Sequence, residues 1–273
     1  MNHPASGHNA EAPTPMPVRC LRWLHLLLHL LRGLLVTGLR FSHLSVAQRH
    51  HAMRRWSLQL LRLLSVRLEV RGEPAELPPR CLLVMNHVSW LDVFLINAVH
   101  PAMFVAKSEV QGWPLIGRLV SQTGTLYIDR RRKSATRRTV EGMVQALRSG
   151  ELVAVFPEGT TTHGHGVDKF HTSLFETALQ AEACVLPVAL RYRTRNGAFC
   201  DAPAYAGETS LLQSIWAIVS TRRIVAQLCF LSPLTPTIND DRRTLALASE
   251  NAIRRALALP ERGTDGRLHA LPD

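Results

Sequence analysis

His87 and Asp92 are the pair in this chain whose types and spacing most directly suggest chemistry. A carboxylate held against one imidazole nitrogen fixes the tautomer and leaves the other nitrogen free as a general base. On a continuous helix, residues five apart point about 140° away from each other. The two side chains therefore meet only if His87 sits in a turn and Asp92 rides the first turn of the helix that follows. A strand end feeding a helix start is where open α/β sheets place their chemistry. Spacing alone leaves a second reading open, in which a histidine and an acid simply cap a helix.

Two more stretches have the same character. Gly124 to Arg130, GTLYIDR, sets Arg130 just past a short apolar run; Phe156 to Gly166, FPEGTTTHGHG, sets Glu158, Gly159 and Thr160 just past another. The arginine either binds a phosphate with its fork of N–H groups or is one more charge in the run Arg130-Arg131-Arg132-Lys133. If these strand ends share one crevice, a base, an arginine and a glycine-containing turn suit attack on a carbonyl with an anion held nearby. His163, His165 and His171 have no carboxylate or cysteine at ligand spacing, so no metal site is expected.

The elements that must position these residues follow from the change of period at Val66. Val66 to Arg71 alternates like a strand, and Leu82 to Asn86, Met103 to Ala106, Thr125 to Ile128, Leu152 to Phe156, Val185 to Leu190 and Arg223 to Leu231 are strand-like runs. Helical stretches fall between them, near 90–98, 114–122, 132–147, 170–181 and 210–219. A final helix is expected over 239–257, capped by Asn239 or Asp240. Alternating strands and helices predict an α/β domain with a mostly parallel central sheet flanked by helices, over residues 67–259. Residues 1–17 read as a flexible leader and 260–273 as a flexible tail.

Residues 18–66 differ. Cys20 to Val36 is leucine-rich, with Arg22, His25, His29 and Arg32 in one stripe at spacings of three and four. Ala47 to Val66 carries a second stripe, Gln48, His51, Arg55, Gln59 and Arg62. Two amphipathic helices with arginine-bearing stripes predict an arm lying in a membrane surface, with arginines against lipid phosphates. A spanning helix is disfavoured because Arg32 is costly in hydrocarbon. The formal net charge of +11 over 273 residues calls for an anionic partner. The arm accounts for that charge, and no nucleic-acid signature is present. Five scattered cysteines without a CxxC pair suggest a reducing compartment.

The chain resembles the glycerolipid acyltransferase family, whose bacterial members include 1-acylglycerol-3-phosphate acyltransferases. Four ordered blocks carry the likeness: Asn86, His87 and Asp92 (NHxxxxD); Gly124 to Arg130; Phe156 to Thr160 (FPEGT); and Val185 to Val188 (VxPV). The resemblance implies transfer of a fatty acyl group from acyl-CoA or acyl-carrier protein to a lysophospholipid hydroxyl, with no cofactor. It makes His87 the base and Asp92 its orienting partner. Asn86, Lys107, Arg130, Glu158, Gly159 and Thr160 are then expected to bind substrate. The place implied is the cytoplasmic face of the inner membrane, monotopic or peripheral. Family members often read FPEGTR, whereas this chain has Thr161, as do sequences resembling lyso-ornithine lipid acyltransferases; the acceptor headgroup is therefore open. A rival of a different class is a non-catalytic adaptor on the membrane surface.

Overall fold

The computed structural model describes residues 13–72, 77–108, 112, 117, 125–128 and 133–269. Of the expectations above, residues 1–12 of the leader, 270–273 of the tail, Gly124, Asp129 and Arg130 and, except at Gly117, the helix over 114–122 lie outside the described residues.

Seven strands form one sheet: β1 (Val66–Arg71), β2 (Cys81–Met85), β3 (Met103–Lys107), β4 (Leu126–Ile128), β5 (Val153–Val155), β6 (Cys184–Thr194) and β7 (Ile224–Phe230). Their order is β1-β7-β6-β2-β5-β3-β4. β6, β2, β5, β3 and β4 run parallel, as does β1 with β7, and the single antiparallel seam lies between β6 and β7. The sheet is thus mostly parallel, as the alternation of strands and helices predicts.

A parallel sheet must be covered on both faces, which makes its strands apolar throughout. Alternate residues of β2 divide between two cores. Cys81, Leu83 and Met85 pack on one side; Leu82 and Val84 pack on the other. The first side is covered by α1 (Met16–Leu39), α2 (Val46–Leu63), α3 (Asp92–Val99) and α6 (Leu211–Ser220), and the second by α4 (Lys133–Arg148), α5 (Glu176–Ala181) and α7 (Arg242–Ala256). Ser45 opens α2 with a reciprocal pair of hydrogen bonds to Gln48. Asp241, one residue beyond the expected caps, closes the N-terminus of α7 by accepting from the N–H groups of Arg243 and Thr244.

Two expectations change. Within 260–273, read as a loose tail, Glu261–Arg262 (β8) pairs antiparallel with Leu268–His269 (β9). Arg262 Nε sits 2.6 Å from Glu250, whose Oε1 also takes 2.8 Å from Arg254 Nε. That buried ion pair is what ties the hairpin down.

The second change concerns the polar stripe of α1. Arg22 turns inward onto the protein. Its Nη1 donates to the carbonyls of Val219 (2.8 Å) and Thr221 (2.9 Å), and Nη2 to Ser65 Oγ (2.7 Å). His29 is buried, stacked on Trp56 with ring centroids 4.4 Å apart. The leucines face out: Leu21, Leu24, Leu28, Leu31, Leu35 and Leu39 are all about half exposed or more. The helix is long and apolar enough to cross a membrane by length and composition. Its 24 residues extend about 36 Å.

The Arg22 guanidinium therefore fastens α1 to the end of α6. Arg22→Met should cost on the order of 3 kcal/mol, because it strips charged donors from several carbonyls at once. Denaturant titration in detergent solution measures this, and an unchanged midpoint would mean that apolar packing alone holds α1.

Candidate active site

β2 ends at Met85, and the chain turns through Asn86 and His87 before α3 begins at Asp92. The strand-end and helix-start geometry required for a His87–Asp92 contact is present. His87 Nδ1 lies 2.8 Å from Asp92 Oδ2, and the Asp92 side chain has no solvent exposure. The same oxygen accepts from the N–H groups of Val88 (2.8 Å) and Ser89 (2.9 Å), while Oδ1 accepts from the Tyr192 hydroxyl (2.7 Å). Four donors surround one buried carboxylate. That satisfies its desolvation and fixes its position.

With Asp92 as acceptor, Nδ1 of His87 carries the proton and Nε2 is left as the basic nitrogen. The ring stacks on Phe156 with centroids 3.8 Å apart and planes 12° from parallel. It keeps 19% exposure and lines a cavity of about 580 Å³. That volume is typical of small-molecule sites. Gly159, Thr160 and Thr161 line the cavity near His87, and Leu26, Leu30, Trp56, Leu60 and Phe94 make an apolar wall beneath α1 and α2. Ser89 is fully buried, and its hydroxyl accepts from the Leu91 N–H instead of facing the cavity.

The loop after β5 is folded around Glu158. Its Oε1 accepts from the His87 N–H (2.5 Å) and its Oε2 from the Asp168 N–H (2.7 Å), so the carboxyl points into the protein and pins the backbone of the histidine. Burial pushes this carboxyl up to about 8. The two N–H donors pull the other way, and the nearby Asp168 and Asp92 add to the rise. Gly159 has a φ of 74°, a backbone conformation that favours glycine. Its N–H closes the turn on Phe156 O at 3.0 Å. Thr162 N–H donates to His87 O (2.8 Å), and the Thr161 hydroxyl donates to Tyr205 O.

Asn86, expected to bind substrate, is buried and engaged elsewhere. Its Nδ2 donates to Leu190 O (3.0 Å) and its Oδ1 accepts from Leu190 N (2.8 Å), latching the end of β2 to β6. The VxPV block is the part of β6 in register with β2, from Leu82 opposite Val185 to Met85 opposite Val188. Lys107 is the last residue of β3, a strand whose Val105 and Ala106 line the cavity. Among the described residues no cluster of three His, Cys, Asp or Glu could hold a metal, and His165 stacks on Phe199. Tyr192, whose hydroxyl reaches Asp92, is a residue of the candidate site that spacing alone does not reveal. The signal was the apolar alternation 186, 188, 190 continuing to 192, on the face that carries Asp92.

The comparisons with known proteins follow the same lines. A family model described as Acyltransferase matches residues 67–191. A 1-acyl-sn-glycerol-3-phosphate acyltransferase of Neisseria meningitidis is 36% identical over 200 residues, 73% of this chain and 78% of that protein. A lyso-ornithine lipid O-acyltransferase of Pseudomonas aeruginosa is 36% identical over 209 residues, covering 77% and 79%. The crystal structure of the 1-acyl-sn-glycerophosphate acyltransferase PlsC of Thermotoga maritima has the same fold, with a TM-score of 0.64 at 20% identity over 88% of this chain and 96% of that one.

The raised Glu158 carboxyl sets a pH dependence. Between its ordinary value near 4.5 and about 8, the folded state binds a proton that the unfolded state has released. Stability therefore falls as pH rises through that window and levels off above it. Glu158→Gln lacks this titration, so the wild-type melting temperature relative to the variant should drop steadily from pH 5 to pH 8. A constant difference would rule the titration out.

Proposed function

The chain belongs to the acyltransferase family that includes 1-acyl-sn-glycerol-3-phosphate and lyso-ornithine lipid acyltransferases, and on that premise we propose that it acylates the free hydroxyl of a lyso-lipid. The observation that carries this reading is the His87–Asp92 pair opening into an apolar cavity roofed by α1 and α2. A water-excluding channel for a hydrocarbon chain, ending at a base, suits acyl transfer between lipids.

In the proposed reaction, Nε2 of His87 takes the proton of the acceptor hydroxyl as its oxygen bonds to the thioester carbonyl carbon of acyl-CoA or acyl-carrier protein. The tetrahedral intermediate collapses with cleavage of the carbon–sulfur bond. The departing thiolate takes the proton back from the imidazolium. Asp92 orients the ring and offsets its charge, and Tyr192 positions Asp92. No acyl-enzyme is needed, consistent with the buried, engaged Ser89. Arg130, Lys107, Gly159 and Thr160 remain the proposed contacts of the acceptor headgroup, while Glu158 acts by holding the His87 backbone.

The acceptor we favour is 1-acylglycerol-3-phosphate, giving phosphatidic acid. Thr161 supports a second reading. Where related sequences often carry arginine, this chain has a hydroxyl turned onto Tyr205 O, which removes one cation from the headgroup end and suits a lyso-ornithine lipid. The outward leucines of α1 support a location on a membrane, which we take to be the cytoplasmic face of the inner membrane. The partners are then membrane phospholipids and the acyl donor.

Acyl transfer by the purified protein in mixed micelles, with both acceptors offered side by side, tests this. His87→Ala should lower the rate by about 10²–10⁴-fold. Transfer to the ornithine acceptor alone would move the assignment to the second reading; transfer to neither would favour a membrane-surface adaptor. Tyr192→Phe removes one hydrogen bond to Asp92 and should lower kcat by roughly tenfold, equivalent to about 1.4 kcal/mol, with KM unchanged. A change in KM alone would contradict its positioning role.

A further inference from the structure

A second concavity lies at the N-terminal end of α1, sharing no lining residue with the catalytic cavity. It measures about 520 Å³ and is walled by Thr14, Val18, Arg22, Arg195, Arg222 and Arg223, with no carboxylate in its lining among the described residues. Three separate segments build it. Thr194 pairs with Ile224 across the β6–β7 seam, which sets Arg195, just past β6, beside Arg222 and Arg223, just before β7. α1 then lays Arg22 across them, with a further Nη2 contact of 3.3 Å to Arg222 O. Most of the Arg22 N–H groups are committed to backbone carbonyls, so it contributes charge and a wall. Arg195, Arg222 and Arg223 are exposed. None of the four arginines joins an ion pair among the described residues.

Four guanidinium groups around one hollow repel one another unless an anion lies among them, and guanidinium forks match phosphate oxygens. The rim shows which phosphate. Leu21 of α1, next to Arg22, and Trp216 of α6 are exposed, and the Arg19 guanidinium lies 5.6 Å over the Trp216 ring. An anion held here has hydrocarbon-compatible surface next to it, with a tryptophan at the boundary as at membrane interfaces.

We propose that this pocket binds the phosphate headgroup of an anionic membrane phospholipid, as a site separate from the one that does chemistry. Along α1, Arg22 lies about 6 Å from Leu26, where the lining of the catalytic cavity begins, and about 15 Å from Arg32. A lipid bound here would set the rotation and depth of α1 in the membrane, and so present the cavity to lipid substrates. The inference rests on the membrane reading given under Proposed function.

Cosedimentation of the full chain with phosphatidylcholine vesicles, with and without phosphatidylglycerol, tests it. The wild type should bind both and prefer the anionic ones. Replacing Arg195, Arg222 and Arg223 together by glutamine should cut the affinity for the anionic vesicles by about 10²-fold, about 5-fold per residue, and leave the neutral-vesicle affinity unchanged. The charge-matched replacement of Arg242, Arg243 and Arg267, exposed residues outside the pocket, should have a much smaller effect. Equal losses in the two triple variants would reduce the effect to diffuse charge and overturn the site. Each single glutamine variant should show its own roughly 5-fold loss, which guards against a folding defect in the triple. Retained vesicle preference with a tenfold rise in KM for acyl-CoA would mean that the pocket holds the donor's nucleotide phosphates instead. If the wild type bound neither vesicle, the membrane reading itself would fail. If it bound both equally, only this site would.

Discussion

A carboxylate without access to water has to be given its hydrogen bonds by the protein, and meeting that demand at Asp92 shapes much of this molecule. Its two oxygens take N–H groups from Val88 and Ser89, the imidazole of His87 and the hydroxyl of Tyr192. The first two force the chain leaving β2 into a tight turn, which places His87 at the crevice. The last obliges β6 to run well past the end of β2, far enough for residue 192 to reach across. Asn86 fixes how these strands are set, because its side chain reproduces a strand-like pair of bonds to Leu190 where β2 can no longer do so. Any loss along this chain of contacts reaches the imidazole.

The backbone of His87 is held just as firmly from the other side. Glu158 takes its N–H, Thr162 donates to its carbonyl, and Phe156 stacks on its ring. The FPEGT stretch is therefore largely a cradle for His87, with Gly159 and Thr160 left as the parts that face the cavity. Glu158 is held in turn by the segment that follows, through Asp168, and the neighbouring Phe170 N–H ends on Glu250 of α7 (3.0 Å). The Glu250, Arg254 and Arg262 group thus supports the loop after β5 from behind as well as fastening the C-terminal hairpin.

The fold class, the order of strands and helices and the His87–Asp92 contact were legible in the sequence because each is a local pattern. Short apolar runs, and alternation from Val66 to Arg71, mark the strands, and a five-residue interval at a strand end marks the pair. What was not legible depends on partners distant in the chain. Asn86 looks like a substrate ligand until Leu190, 104 residues away, is seen to occupy it. Glu158 looks like a charge aimed at substrate, yet its partners are backbone N–H groups that have no sequence signature. The stripe on α1 was visible, but periodicity does not say whether a polar face meets water, lipid or protein; here the carbonyls ending α6 decide it.

That docking of α1 also imposes an order of events on biogenesis. Arg22 meets its carbonyl partners 197 and 199 positions later in the chain. At typical synthesis rates those partners leave the ribosome on the order of 10–40 s after Arg22 does. For that interval the leucine-rich helix has only α2 and Ser65 as protein partners. Its most accessible resting place is a lipid surface, where leucines sink and arginine stays with the headgroups. Arg22 gains these carbonyl partners only when the end of α6 arrives, so the docking of α1 has to wait until most of the domain has been made.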